Sequence, residues 1–338
     1  MITLGIETSC DETAAAVLDG DAVLASEVSS SVHLHRKYGG VVPEIASRYH
    51  LEYIHAVAEA AFNKSGVGPA DLDLVAATAG PGLCGSLLTG LSFAKMLAYA
   101  ARKPFIGVNH IIAHMYANFF SGEHDVKPSY PFIGLVISGG HTSLFLCKSP
   151  LKSEHIGRTQ DDAVGEAFDK VAKILGLGYP GGPAVEKAAA KFKADKPGIE
   201  FPRAYINKHT LDFSFSGVKT AVLYYVKKRK ITPRTVSAVS YAFQQAVFEV
   251  ICAKAVSACR RHGVSELVVG GGVACNRTFR EMMARLCGEN GVRLFVPGRR
   301  YCLDNAAMAA YLGSALYKSG RRSDFALTAN PNMEEVTC

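Results

Sequence analysis

Two histidines four residues apart, in His110-Ile111-Ile112-Ala113-His114, are the first feature of this sequence that chemistry can use. On a helix, both imidazoles stand on one face with Cβ atoms roughly 5–6 Å apart, close enough to hold one metal ion. A zinc peptidase needs a glutamate at the second position as general base. Ile111 stands there, so peptide hydrolysis loses its base. A third ligand is required, and a carboxylate suits. Asp304, in Tyr301-Cys302-Leu303-Asp304-Asn305, follows a strand and opens an Ala-rich helix. There it can cap the helix, a common job for Asp, or ligate, and the two roles do not exclude each other.

Glycine-rich turns follow apolar strands at residues 79–86, 138–141, 179–183 and 270–273. Each exposes backbone N–H groups that can meet phosphate, because missing side chains permit close approach. Together they suggest a nucleotide site. No Walker A lysine is present and no GxGxxG opens the first βα unit, so P-loop and Rossmann readings fail. The segment Asp161-Asp162-Ala163-Val164-Gly165-Glu166-Ala167-Phe168-Asp169-Lys170 is densely acidic. Glu166 and Lys170 form an i, i+4 helix pair, and the remaining acids either support the helix or hold a ribose, a hydroxyl or a metal.

These residues need a scaffold, and the patterns predict one. Strands are expected at 4–7, 14–18 and 22–28 as an antiparallel meander, then a helix at 45–64, a buried strand at 74–78, a helix at 87–101, a strand at 105–108 and a helix opening at Asn109. The second half restarts with a strand at 132–137, the turn Ser138-Gly139-Gly140-His141-Thr142 and a returning strand at 143–147. Helices at 163–175, 182–193, 236–262, 276–289 and 303–318 follow, with strands at 267–270 and 293–296 between the last three. Residues 195–216 form a long irregular stretch, a candidate lid or substrate loop. Two halves that both open strand, turn, strand point to a duplicated α/β unit, the arrangement of the actin/hexokinase/chaperone ATPase superfamily.

Composition sets the outer bounds. The 338 residues are 49% hydrophobic and 20% charged, which excludes disorder, collagen and coiled coil and makes two domains the default. No apolar run reaches the roughly 18 uncharged residues of a membrane span, and the first residues read as a strand rather than a leader, so a soluble cytoplasmic protein is expected. Nine cysteines, an odd number with no CxxC pair, fit reduced thiols used for packing. Lys and Arg total 37 against 30 Asp and Glu, a net charge of +7. The excess sits in knots at Lys227-Lys228-Arg229-Lys230, Arg260-Arg261, Arg299-Arg300 and Arg321-Arg322, which fit either solvated surface or an anionic partner such as nucleic acid.

A set of ordered motifs now carries a resemblance. Gly5 to Thr13 (GIETSCDET), Gly80-Pro81-Gly82-Leu83, Asn109-His110 with His114, Ile137 to Thr142 (ISGGHT), Asp161 to Lys170, Tyr179 to Pro183 (YPGGP), Phe213 to Thr220 (FSFSGVKT) and Gly270 to Asn276 (GGGVACN) run from residue 1 to about 318. In these the chain resembles the bacterial form of the universal threonylcarbamoyl transferases, which make N6-threonylcarbamoyladenosine in tRNA.

The resemblance implies two RNase-H-like lobes. Residues 1–128 form the first, with about 305–338 packing back on it, and 129–304 form the second. It implies transfer of threonylcarbamoyl from threonylcarbamoyl-adenylate to N6 of adenine 37 in tRNAs reading codons that start with A, with release of AMP. Carried over by residue, the metal ligands are His110, His114 and Asp304. The adenylate contacts are Val136, Ile137, Ser138, Gly139, Gly140, Asp169, Gly182, Glu186 and Asn276. Val136 stands where archaeal and eukaryotic relatives place a tyrosine ligand, so phosphate or water is expected to complete the metal sphere. Asp11 and Glu12 are the candidates for a catalytic base. The metal is expected to be iron(II) or zinc. Partners are tRNA, a paralogous lobe-pairing subunit and a P-loop ATPase, with no membrane. Two other readings are a small-molecule kinase of the same superfamily, against which the paired histidines argue, and a non-catalytic scaffold, against which the intact His110, His114 and Asp304 argue.

Overall fold

The structure, a computed structural model, describes residues 1–193, 198–204 and 209–334. The chain divides into two compact units, one made of Met1–Pro128, Lys148–Ser153 and Pro297–Cys338, the other of Ser129–Cys147 and Glu154–Val296. Residues 297–304, expected in the second lobe, belong to the first unit.

The first unit opens with β1 (Ile2–Glu7), β2 (Glu12–Asp19), β3 (Ala22–Ser30) and α1 (Val32–His35), then α2 (Pro43–Ser65), β4 (Leu74–Gly80), α3 (Cys84–Ala101), β5 (Phe105–Asn109) and α4 (His110–Tyr116). The second unit holds β6 (Phe132–Ile137), most of β7 (Thr142–Ser149) and β8 (Lys152–Arg158), α5 (Val164–Leu175), α6 (Gly181–Ala189), α7 (Ser216–Lys227), α8 (Pro233–His262), β9 (Glu266–Gly270), α9 (Arg277–Glu289) and β10 (Arg293–Phe295). The chain then returns to the first unit with α10 (Arg299–Cys302) and α11 (Ala306–Lys318).

The two sheets run β3-β2-β1-β4-β5 and β8-β7-β6-β9-β10. In each, the first strand pairs antiparallel with the second and parallel with the fourth. The second half is thus a topological repeat of the first.

Burial explains the strand sequences. All seven residues of β4 (LVAATAG) are buried, as expected of a central strand covered on both faces. On β1, Leu4 and Ile6 join the core formed with Ile54, Ala58 and Leu91 of α2 and α3. Gly5 faces the other way, where a Cβ would lie 2.1 Å from the Ala306 carbonyl oxygen. Gly313 in turn sits where a Cβ would meet Ala76 at 2.5 Å. Helix α11 therefore lies directly on the backbone of the sheet, and glycine at these two positions permits it. The second unit centres on Phe168, Phe243, Phe248 and Phe279, whose rings stack and cross at 4.9–5.5 Å.

Strand β8 and helix α7 are the longer elements that the sequence patterns do not predict. Strand β8 was not expected; it alternates buried Ser153 and Gly157 with charged residues and gives almost no apolar signal. Helix α7 was also missed, although Val218, Val222 and Val226 recur at a helical spacing and are buried; its Val, Thr and Tyr content lowers helix propensity. Helix α8 is the one helix, among the described residues, long and apolar enough to cross a membrane, and it is mostly buried. Of the expected loop 195–216, residues 195–197 and 205–208 lie outside the described residues.

Candidate functional site

The first unit positions the histidines through a helix cap. Strand β5 ends at Asn109, whose Oδ1 accepts the amides of Ile111 at 2.9 Å and Ile112 at 3.1 Å, so α4 starts at His110. His110 and His114 then share a face, with ring centroids 4.7 Å apart. Asp304 joins them: its Oδ1 lies 3.3 Å from His114 Nε2 and 3.8 Å from His110 Nε2. It does not cap the helix. Asn305 does, its Oδ1 accepting the Met308 amide at 3.0 Å.

Behind His110 stands a carboxylate the sequence reading did not single out. His110 Nδ1 lies 3.0 Å from both Glu7 Oε2 and Ser9 Oγ. Glu7 is wholly buried and accepts from the Ser9 amide at 2.6 Å and the Thr78 hydroxyl at 2.6 Å. Burial alone lowers an imidazole pKa and raises a carboxyl. Here the pair overrides both: the Glu7 and Asp304 charges raise His110 to about 9, and His110 holds Glu7 below the ordinary carboxylate value. The clue in the sequence was a lone glutamate ending an apolar strand.

A cation fits this set. Both ring nitrogens of buried His114 lack a hydrogen bond among the described residues, which is costly unless something else binds them. The three ligand atoms of His110, His114 and Asp304 lie within 4.8 Å of one another. Carboxyls crowd the same place. Burial, then Asp304 and Asp11, push Glu12 well above the carboxylate range, and the Cys10 thiol is pushed up by burial and the same acids. Glu12 also accepts the Ser30 hydroxyl at 3.1 Å, and Asp11 is buried at the tip of the β1–β2 turn. A carboxylate-backed histidine and like-charge crowding are what a divalent ion relieves.

The second unit carries the glycine turns. The Gly165 and Glu166 amides, at the start of α5, donate to the Ser138 and Gly139 carbonyls at 3.2 and 3.1 Å. His141 and Ser138 close the turn through Ser138 N–H to the His141 carbonyl at 2.9 Å. Gly139 and Gly140 are exposed, and a Cβ on either would meet nothing within 4 Å. Val136 and Ile137 differ: both side chains are fully buried in β6, and Ser138 is buried too, so among residues 136–140 only Gly139 and Gly140 are exposed. Asp169 Oδ1 accepts the Gly181 amide at 2.6 Å and Glu186 Oε1 accepts the Arg277 amide at 2.8 Å, which ties α5, α6 and the start of α9 together. Asn276 caps α9, and its Nδ2 donates to Gln244 Oε1 at 2.9 Å. Gly182 has open space where a side chain would be.

The acidic segment divides by role. Asp161 accepts both the hydroxyls and the amides at the start of α7, from Ser214, Phe215 and Ser216, at 2.5–3.2 Å. Asp162 bridges Lys170 and Lys219, each at 2.6 Å, and Glu166 pairs with Lys170 at 2.8 Å. These acids order the second unit's own elements.

The family model described as tRNA N6-adenosine threonylcarbamoyltransferase matches residues 22–311. The chain belongs to the tRNA N6-adenosine threonylcarbamoyltransferase family. Curated members from Clostridioides difficile and Thermosipho africanus are 46% and 45% identical to it, over 99% of this chain and 98% and 100% of theirs. Among solved structures, HypF from T. kodakarensis matches with TM-score 0.60 at 17% identity, over 94% of this chain and 48% of that one. A ROK hexokinase from Thermus thermophilus matches with TM-score 0.50 at 16% identity, over 95% of this chain and all of that one. These likenesses establish the fold alone, an α/β unit present twice in the chain. Threonylcarbamoyltransferase membership does not favour the kinase reading, and it makes the chain a transferase of tRNA modification.

Proposed function

We propose that this protein transfers a threonylcarbamoyl group from threonylcarbamoyl-adenylate to N6 of adenine 37 in tRNAs reading codons that start with A. The observation that carries this reading is the His110, His114, Asp304 set with Glu7 behind it, in a chain of this family. The amine attacks the carbamoyl carbon, the C–O bond to the phosphate breaks, and AMP leaves with that oxygen while N6 loses a proton.

The exocyclic amine is a poor nucleophile, so the mixed anhydride supplies activation. His110, His114 and Asp304 would hold a divalent ion, iron(II) or zinc, since two imidazoles and a carboxylate suit either. When bound, the ion offsets negative charge on the acyl phosphate and its leaving group. Glu7 fixes the His110 ring through Nδ1 so that Nε2 is the ligand atom. The Ser138–Gly140 turn presents backbone donors to phosphate oxygens. Asp169, Gly182, Glu186 and Asn276 surround the nucleoside. Glu12 in its ionised form, with Asp11 beside it, takes the N6 proton; burial raises its affinity for that proton.

The same reading gives a cytoplasmic enzyme with two protein partners, a paralogous lobe-pairing subunit and a P-loop ATPase that resets the cycle, and tRNA held through its phosphates by basic knots. The test is reconstitution: purified protein, partner subunits, threonylcarbamoyl-adenylate and unmodified tRNA, with nucleosides resolved by mass. Appearance of threonylcarbamoyladenosine at position 37 is expected. Its absence with metal-loaded protein overturns the reading.

A further inference from the structure

Two buried imidazoles outside the metal centre grip the turn between β1 and β2. His35 ends α1 and His50 lies within α2, and both are fully buried. His50 Nε2 donates to the Cys10 carbonyl at 3.0 Å, and its Nδ1 lies 2.8 Å from Thr13 Oγ1, so one ring spans the turn. His35 reaches the turn through Ser31. The Ser31 hydroxyl donates to the Asp11 carbonyl at 2.9 Å, and His35 Nε2 lies 3.0 Å from that hydroxyl oxygen. On the other side of the ring, the Val42 amide donates to His35 Nδ1 at 3.2 Å.

Counting protons leaves one state for His35. The Ser31 hydroxyl has a single hydrogen, already given to Asp11, so it accepts from Nε2–H. The Val42 amide only donates, so Nδ1 keeps its lone pair. His35 is the neutral Nε2–H tautomer. His50 is less constrained, because the Thr13 hydroxyl can reverse its bond. Val42 is the N-cap residue of α2 and has no side-chain cap, so the same ring that steadies Asp11 also marks where α2 begins. The charged and titratable groups acting on His35 and His50 are Asp11, His33, Glu7 and each other; burial lowers both imidazoles and outweighs the carboxylates.

We propose that His35 is a positioning residue, a neutral strut that ties the Asp11–Glu12 turn to the start of α2 and lets go of Val42 when a proton is added at Nδ1. The link to catalysis rests on the proposed function, through the turn's carboxylates; the strut itself is a claim about hydrogen bonds. Two arms of one experiment keep these apart. Amide exchange at Val42 and Ser31, corrected for intrinsic rates, is followed from pH 8 to pH 5 in the full chain. Val42 protection in the wild type is expected to fall at least tenfold below pH 6.5, the ordinary imidazole value. His35→Asn, which keeps an acceptor near the Nδ1 position and does not titrate, retains protection throughout, whereas His35→Ala lacks it at every pH. In the second arm, His35→Ala lowers kcat for transfer about tenfold with metal content and KM for tRNA unchanged, and His35→Asn restores most of it. Wild-type Val42 protection that ignores pH, or His35→Ala with wild-type protection and kcat, overturns the proposal. If His35→Ala does not fold, the pH response of wild type against His35→Asn decides it. A wild-type protein that transfers nothing overturns the proposed function, while the exchange arm still decides the strut.

Discussion

Asp304 and Asn305 are adjacent in the chain and do separate work: Asn305 Oδ1 holds the Met308 amide at 3.0 Å, while Asp304 Oδ1 lies 3.3 Å from His114 Nε2. The division makes two substitutions distinguishable. Asn305→Ala should cost about 0.5–2 kcal/mol of stability through the lost cap. Asp304→Asn should leave the melting temperature of the metal-free protein nearly unchanged and remove bound metal and transfer. A stability loss for Asp304→Asn as large as that for Asn305→Ala would show that the carboxylate is structural.

His110→Ala with His114→Ala should remove the metal and most transfer activity while the fold persists. Glu7→Gln should weaken metal binding about 10–100-fold, since it keeps the shape of the partner and loses its charge. Metal analysis and circular dichroism on the same samples check both. Unfolding of the double variant would mean that the histidines serve packing.

Metal loading should release a proton. In the metal-free protein His110 is held near pKa 9, so it is protonated at pH 7, and ligation at Nε2 displaces that proton. Affinity should therefore rise with pH and level off above about 9. The raised pKa also means that the His110–Glu7 pair stabilises the metal-free fold fully below 6.5, with the contribution lost as pH rises through about 9. The lowered Glu7 value adds an acid edge: its contribution is present above 4.5 and lost as pH falls through the lower folded value. Calorimetry in buffers of different ionisation enthalpy measures the proton count, and a pH-independent affinity between pH 7 and 9 would contradict it.

Gly165→Ala places a Cβ 2.6 Å from the Ser138 carbonyl oxygen and 2.7 Å from Gly139 Cα, so α5 can no longer support the turn. We expect a loss of about 1–3 kcal/mol together with loss of adenylate binding. Gly182→Ala meets nothing within 4 Å and should keep its stability while weakening adenylate binding. Equal binding in the Gly182 variant would place the nucleotide elsewhere.

The knots at Lys227–Lys230 and Arg260–Arg261 are exposed at the ends of α7 and α8, with Arg229 stacked on Tyr225 at 3.8 Å. Neutralising them should weaken tRNA binding and flatten its salt dependence, by about 0.9 in log–log slope for each phosphate left without its cation. Adenylate affinity should not move. An unchanged salt slope would make these knots plain surface.

Much of this was legible in the residues. The duplication could be read from two openings of strand, turn and strand, because hairpin signals are local. The paired histidines could be read because helical spacing alone puts them on one face. Which of Asp304 and Asn305 caps α11 was not legible, since the choice depends on the backbone: Asn305 takes the extended conformation, φ −151 and ψ 152, that a cap needs. Glu7 behind His110 was hidden for a different reason, being an interaction across 103 positions in the chain. Strand β8 gave no pattern because only two of its seven residues are buried.

The first unit is assembled from segments on either side of the second, and this sets an order on the ribosome. The sheet of β1 to β5 emerges early, but the helix that covers the Gly5 face is made after residue 305. That face stays uncovered while the whole of the second unit is synthesised, and the second unit can complete its own sheet first. His110 and His114 likewise wait for Asp304. A nascent chain therefore gains its third ligand only after the second unit has been made, so a chain released before residue 304 lacks the full ligand set.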